Sequence, residues 1–151
     1  MRAEDLMTTA VRTVAPGEPA ETAWNLMQLA EVHHLVVMEK SRVVGILSRG
    51  DLGGPRGADR RKGRSAADLM TPSIVIATPR TTLRDAANLL RGHSIGCLPV
   101  LEGKRLVGIL TVTDLLDALG HGTKAMPPKQ KPVYKIGRWP RMAPNVELRR
   151  H

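Results

Sequence analysis

Residues 45–52 read GILSRGDL and residues 108–115 read GILTVTDL. In each, an apolar stretch runs into a hydroxyl residue, two more residues and an aspartate: Ser48-x-x-Asp51 first, Thr111-x-x-Asp114 second. This is the pattern of a strand that ends where a helix begins, because a hydroxyl and a carboxylate at that spacing take up the free amides of a helix start. At the offset of 63 that relates the two stretches, residues 5–52 align with 68–115 without a gap, and roughly 18 of the 48 pairs are identical. The identities include DLMT at 5–8 and 68–71, Pro16 with Pro79, Ala23 with Ala86, and Asn25-Leu26 with Asn88-Leu89. The chain is an internal repeat of one structural unit.

Reading outward from those stretches, each copy shows the same periodicities. Two apolar strands, Leu35–Met38 with Val43–Leu47 and Leu98–Leu101 with Leu106–Leu110, flank the short polar turns EKSR and EGKR and predict a hairpin in each copy. Upstream, Ala20, Ala23, Trp24, Met27 and Ala30 recur at helical spacing, as do Leu83, Ala86, Ala87 and Leu90. Thr82-x-x-Asp85 resembles a capping box at the second of these helices. A β-branched stretch precedes each helix, Val11–Val14 and Ile74–Thr78, and a proline-containing turn ends it. After Asp114 the run DLLDALG predicts a final helix with Gly120 as its stop, whereas Gly53-Gly54-Pro55 cuts the corresponding helix of the first copy to one turn at most. Neither copy is long enough to bury its own apolar faces, so the hairpins are expected to pack together as one pseudo-two-fold domain of α+β class.

The chain has 151 residues and a formal net charge of +9, but the charge is unevenly spread. Residues 53–64 hold five basic and one acidic residue, and residues 121–151 hold eight basic and one acidic. The rest carries ten basic against twelve acidic residues, so the excess belongs to a linker and a tail. The expected division is a first repeat over 1–52, a basic Gly/Arg linker over 53–64, a second repeat over 65–120 and a basic Pro-rich arm over 121–151. No apolar run approaches a membrane span, and MRAEDLMTTA has no hydrophobic signal region, so a cytoplasmic protein is expected. The single Cys97 is expected to be a small buried apolar residue.

The βαββα order, the opening DLMT, and a strand ending in Gly followed by two apolar residues and (Ser/Thr)-x-x-Asp together resemble the CBS repeat, a pair of which forms a Bateman module. The resemblance covers residues 3 to about 120. It implies a stand-alone regulatory module, not an enzyme, that senses an adenosine compound such as AMP, ADP, ATP or S-adenosylmethionine in clefts between its repeats. It implies a homodimer formed through the helices, an effector protein of unknown identity, and no required cofactor beyond the regulatory nucleotide.

The family's ribose-binding aspartate falls on Asp51 in one cleft and Asp114 in the other, each able to accept both hydroxyls of a cis-diol. The family's hydroxyl positions fall on Ser48, and on Thr111 with Thr113. Arg12, Thr13, Val32, His33 and Ile109 are expected to complete the Asp114 cleft, and Ile46, Val75, Ile76, Ile95 and Gly96 the Asp51 cleft. Helix N-terminal amides, with Arg49, Arg91 and His93, are candidates for phosphate. The Asp114 cleft keeps Thr113 where the other has Gly50, and is the expected principal site. Both Ser/Thr-x-x-Asp motifs fit plain helix caps equally well.

Other chemistry finds little support. The adjacent His33 and His34 lack zinc-ligand spacing to any Cys or carboxylate cluster, and no P-loop, dinucleotide fingerprint or nucleophile elbow occurs. The tail, with Tyr134, Ile136 and Trp139 among eight basic residues, reads either as an arm packed on its own domain or dimer mate, or as a contact for nucleic acid. The linker RRKGR reads as a solvated loop, with a packed segment, a nucleic-acid contact or a source of cations near the Asp51 cleft as the alternatives.

Overall fold

The computed structural model describes residues 1–72 and 75–121. In chain order these form α1 (Ala3–Leu6), β1 (Thr13–Val14), α2 (Ala20–Ala30), β2 (His34–Glu39), β3 (Arg42–Ser48), α3 (Ala58–Arg61), α4 (Ala66–Leu69), α5 (Leu83–His93), β4 (Cys97–Glu102), β5 (Arg105–Thr111) and α6 (Val112–His121). Strands β2 and β3 form one antiparallel hairpin and β4 and β5 the other, each with a register shift near its turn. Lys40 and Gly103 close the turns at positive φ. The β-branched stretches preceding the helices are shorter than expected. β1 pairs in parallel with β2 through Thr13 and Val14 only, and in the second half the pairing, among the described residues, is a bridge between Ala77 and Val100.

The apolar periodicity of the helices is realised with two corrections. In α2, Ala20, Ala23, Trp24 and Met27 are buried and Ala30 is half-buried; in α5, Ala86 and Leu90 are buried but Ala87 is exposed. Ala87 is the counterpart of Trp24, and its small side chain leaves the adjoining inward positions to the half-buried Leu83 and Leu89. The Thr82 hydroxyl accepts the Asp85 amide at 3.1 Å, as a helix cap does. Both helices end on a non-glycine residue in the left-handed region, Glu31 and Ser94, whose amides bond back into the last turn. The final helix begins at Val112 and runs through Gly120 to His121, so Gly120 does not stop it.

The two copies exchange their first segments. Thr8 of the first DLMT bridges to Ile109 in β5, and Thr71 of the second bridges to Ile46 in β3. Ala3 and Leu6 of α1 consequently join the core formed by Ala86, Leu90, Leu98, Leu110 and Leu115, whereas Ala66 and Leu69 of α4 join that of Trp24, Met27, Leu35, Leu47 and Leu52. Close approach at each crossing favours glycine: a Cβ at Gly45 would stand 2.9 Å from the Thr71 carbonyl oxygen, and one at Gly108 would stand 3.1 Å from that of Thr8. A third cluster, Val36, Val43, Cys97 and Ile109, joins the two hairpins face to face. Each half thus buries its apolar surface only with the other present.

Residues 53–64, in which RRKGR is expected to be a solvated loop, are ordered against the core although Arg60, Lys62, Gly63 and Arg64 stay exposed. They fold into a 3-10 turn (Gly54–Arg56) and α3, and Arg61 is 4% exposed. Burial of a guanidinium requires partners, and Arg61 has an ion pair with Glu21 at 2.9 Å, two carbonyl acceptors and the ring of Trp24. Expectations for the arm, including Tyr134, Ile136 and Trp139, lie outside the described residues.

Candidate functional site

Where β3 ends, the Ser48 amide donates to Asp51 Oδ2 at 2.8 Å and the Asp51 amide donates to Ser48 Oγ at 3.0 Å. Where β5 ends, the Thr111 amide donates to Asp114 Oδ2 at 2.8 Å and the Asp114 amide to Thr111 Oγ1 at 3.1 Å. Both motifs are therefore reciprocal caps. A cap uses only part of a carboxylate's accepting capacity, since the two oxygens offer about four lone-pair sites.

Beside Asp51 the two halves enclose a cavity of about 180 Å³. His34, Ile46, Ser48 and Asp51 line it from the first hairpin, and Thr71, Val75, Ser94, Ile95, Gly96 and Cys97 from the second half. Six sequence-based expectations are brought together here: Ile46, Ser48, Asp51, Val75, Ile95 and Gly96. Ile76 is not, being 41% exposed. In extended chain, neighbours point to opposite faces, so Val75 and Ala77 face inward and Ile76 outward. Arg49 lies over Trp24 with its guanidinium carbon 5.4 Å from the ring centroid, Arg91 donates to Asn88 at 3.3 Å, and neither lines the cavity; nor does His93.

Four lining residues escaped the sequence reading: His34, Thr71, Ser94 and Cys97. The His34 ring lies so close over Gly96 that a Cβ there would be 2.8 Å from His34 Nε2. Burial holds the imidazole below its ordinary range, with the Asp51 charge acting in the opposite sense. Burial also pushes the Cys97 thiol up to about 12, helped by the same carboxylate. Cys97 is buried, as expected of a small apolar residue.

The repeat offset of 63 maps this cavity onto the surroundings of Asp114. There Arg12 replaces Val75, Glu31 replaces Ser94 and His33 replaces Gly96. Asp114 is 2% exposed and Ile109 is 8% exposed within the inter-hairpin cluster. Thr113, Arg12 and His33 are exposed, and Val32 is half-buried. Thr13 lines a different groove, with Thr9, Val11 and the hairpin-turn residues Lys40 and Lys104. Among the described residues no three His, Cys, Asp or Glu stand together as metal ligands, and no helix is long and apolar enough to cross a membrane.

The sequence profile described as CBS domain matches residues 3–52 and again residues 66–121. A curated relative, the CBS domain-containing protein YhcV of Bacillus subtilis, is 33% identical over 113 residues, which are 74% of this chain and 81% of that one. Several other curated relatives are much longer, and the matched region spans only 15% to 25% of their length. Among solved structures, CBSX2 in complex with AMP, a protein of Arabidopsis thaliana, superposes with a TM-score of 0.70 at 27% identity, over 82% of this chain and 99% of that one. The CBS domain pair of MJ0100, in complex with 5′-methylthioadenosine and S-adenosylmethionine, shares the fold at a TM-score of 0.72 and 20% identity, over 80% of this chain and 97% of that one.

Proposed function

The chain belongs to the CBS-domain family, in which it is a tandem pair, and from that premise we propose that it is a regulatory module binding an adenosine compound in the cleft beside Asp51. The observation that carries this reading is the cavity itself, walled by both repeats and edged by Ser48 and Asp51. The Asp51 carboxylate, with Oδ2 taken by the Ser48 amide, accepts a ribose diol through its remaining lone pairs. Ile46, Val75 and Ile95 offer apolar contact to a base, and Ser94 and Thr71 offer hydroxyls. At about 180 Å³ the cavity is smaller than the roughly 300–1,000 Å³ of pockets that enclose a ligand. Part of the ligand, with its phosphates or sulfonium chain, therefore extends past the mouth. The AMP bound to CBSX2 and the two adenosyl compounds bound to MJ0100 support this ligand class.

The sequence favoured the Asp114 cleft, but the reading proposed here favours the other. Beside Asp114 a His33 ring takes the place of Gly96 and the Glu31 carboxylate takes the place of Ser94. The bulk of the imidazole narrows that cleft, while the Glu31 carboxylate and the Arg12 guanidinium that replaces Val75 offset one another in charge.

In this reading the module works in the cytoplasm, performs no reaction, and reports its ligand state to an effector protein through the geometry of a homodimer. α6 supports the dimer: Val112, Leu116 and Leu119 recur at i, i+4 and i+7 and are 40%, 60% and 72% exposed. Sedimentation velocity should show a dimer that Leu116→Glu dissociates, and a monomeric wild type removes this part of the reading. No observation on the described residues favours the competing nucleic-acid reading.

Calorimetric titration with AMP, ADP, ATP and S-adenosylmethionine tests the ligand class. Binding of at least one is expected, and neither heat nor a thermal shift with any of the four would refute it.

A further inference from the structure

The second repeat passes from β5 directly into α6, whose own amides take up the carbonyls that follow Asp114. The first repeat has no such helix. Gly53 and Gly54 adopt φ of +86 and +67, and Pro55 has no amide with which to bond the Asp51 carbonyl four residues back. Arginines of the linker occupy the vacated positions. Arg60 Nε donates to the Asp51 carbonyl at 2.7 Å, and Arg61 Nη1 donates to the carbonyls of Leu52 at 2.9 Å and Gly54 at 2.7 Å. The Arg61 guanidinium is in turn anchored on α2: its Nε donates to Glu21 Oε2 at 2.9 Å, and its carbon lies 4.4 Å from the Trp24 centroid.

We propose that Arg61 is a positioning residue for the ligand cleft, a buried guanidinium that stands in for the missing helix and ties the turn carrying Asp51 to α2. Its effect on ligand affinity rests on the adenosine reading above; its effect on the turn does not. A charged donor shared among two carbonyls and a carboxylate is stronger than neutral hydrogen bonds, and it adds to bonds that are local to the turn, the Ser48–Asp51 cap and the amides of Leu52, Gly53 and Gly54 on the carbonyls of Ser48, Gly50 and Arg49, none of which reaches α2. The asymmetry of the repeats follows, because the Asp114 turn does not depend on the linker.

The test compares the full-length chain with Arg61→Gln and Arg61→Lys by amide hydrogen exchange without ligand, and by titration with AMP and S-adenosylmethionine. The amides of Leu52, Gly53 and Gly54 should exchange about tenfold faster in Arg61→Gln, with those of α6 unchanged. Affinity should fall about tenfold. Arg61→Lys keeps the charge over Trp24 but cannot span all three acceptors, so it should show the same local pattern more weakly, and it decides the matter if the Gln variant does not fold. Unchanged exchange at residues 52–54 in the folded variants overturns the proposal, as does acceleration spread equally over α6. If the wild type takes up neither these two compounds nor ADP and ATP, the adenosine reading falls, and the exchange pattern still decides whether Arg61 holds the turn.

Discussion

Replacing Gly45 by alanine should damage the fold and the candidate cleft together. The new Cβ would meet Met70 Sδ at 2.5 Å and the Thr71 carbonyl oxygen at 2.9 Å. The thioether is the end of a flexible side chain and can turn away; the carbonyl cannot, because it accepts the Ile46 amide at 3.0 Å while the Thr71 amide donates to Ile46 at 2.8 Å. Relief requires the Met70–Thr71 segment to lift from β3, at the cost of one or both of these bonds, about 1–3 kcal/mol. The lower entropy of an unfolded alanine chain returns about 0.4–1 kcal/mol, leaving a net destabilisation of about 1.3 kcal/mol at the centre of the two ranges. Ile46 and Thr71 both line the cavity, so ligand affinity should fall as well. Urea denaturation reads the stability through its midpoint, with the slope unchanged. Gly92→Ala is the control, since its Cβ meets nothing within 4 Å on the exposed side of α5 and should stabilise by about 0.5–1 kcal/mol. A Gly45→Ala protein as stable as wild type, with undiminished affinity, would refute the crossing geometry.

Two further perturbations concern the cavity wall. His34 is held below its ordinary value of 6.5 by burial, so the unfolded chain takes up its proton first as the pH falls. Its contribution is complete above 6.5 and is lost as the pH drops from there toward the folded value, at up to about 1.4 kcal/mol per pH unit. His34→Leu should flatten that part of the stability profile, and an unaltered slope would contradict the placement of the ring. Cys97, 3% exposed and with its thiol pushed up to about 12, should resist a thiol-reactive reagent in the native protein and react fully once unfolded; rapid native labelling would place it elsewhere.

The hairpins were legible because period-two apolar patterning and a short polar turn are local signals, and they occur where the sequence implied, one residue longer at each end. The exchange of the DLMT segments was not, because nothing in a local pattern says which copy a segment pairs with. The signal that could have found it is the glycine kept mid-strand at both 45 and 108, a residue that weakens a strand unless another backbone comes close. His34 and Cys97 were weighed as a metal candidate and a core residue because they are two positions of one repeat seen separately; aligned by the repeat, they mark the same inward site at the start of a hairpin. Arg61 was hidden by its company, since a run of basic residues beside Gly and Pro has the composition of a solvated loop, and only tertiary contact with Trp24 and Glu21 distinguishes it from its neighbours.

The claim that the ligand lies beside Asp51 is tested most directly by titrating wild type and Asp51→Ala with the tightest binder among AMP, ADP, ATP and S-adenosylmethionine. Loss of the cap should cost about 1 kcal/mol of stability and leave the fold intact. Loss of the hydrogen bonds to a ribose diol should weaken binding at least about tenfold. Affinity unchanged in a folded Asp51→Ala protein would place the ligand elsewhere and contradict the account.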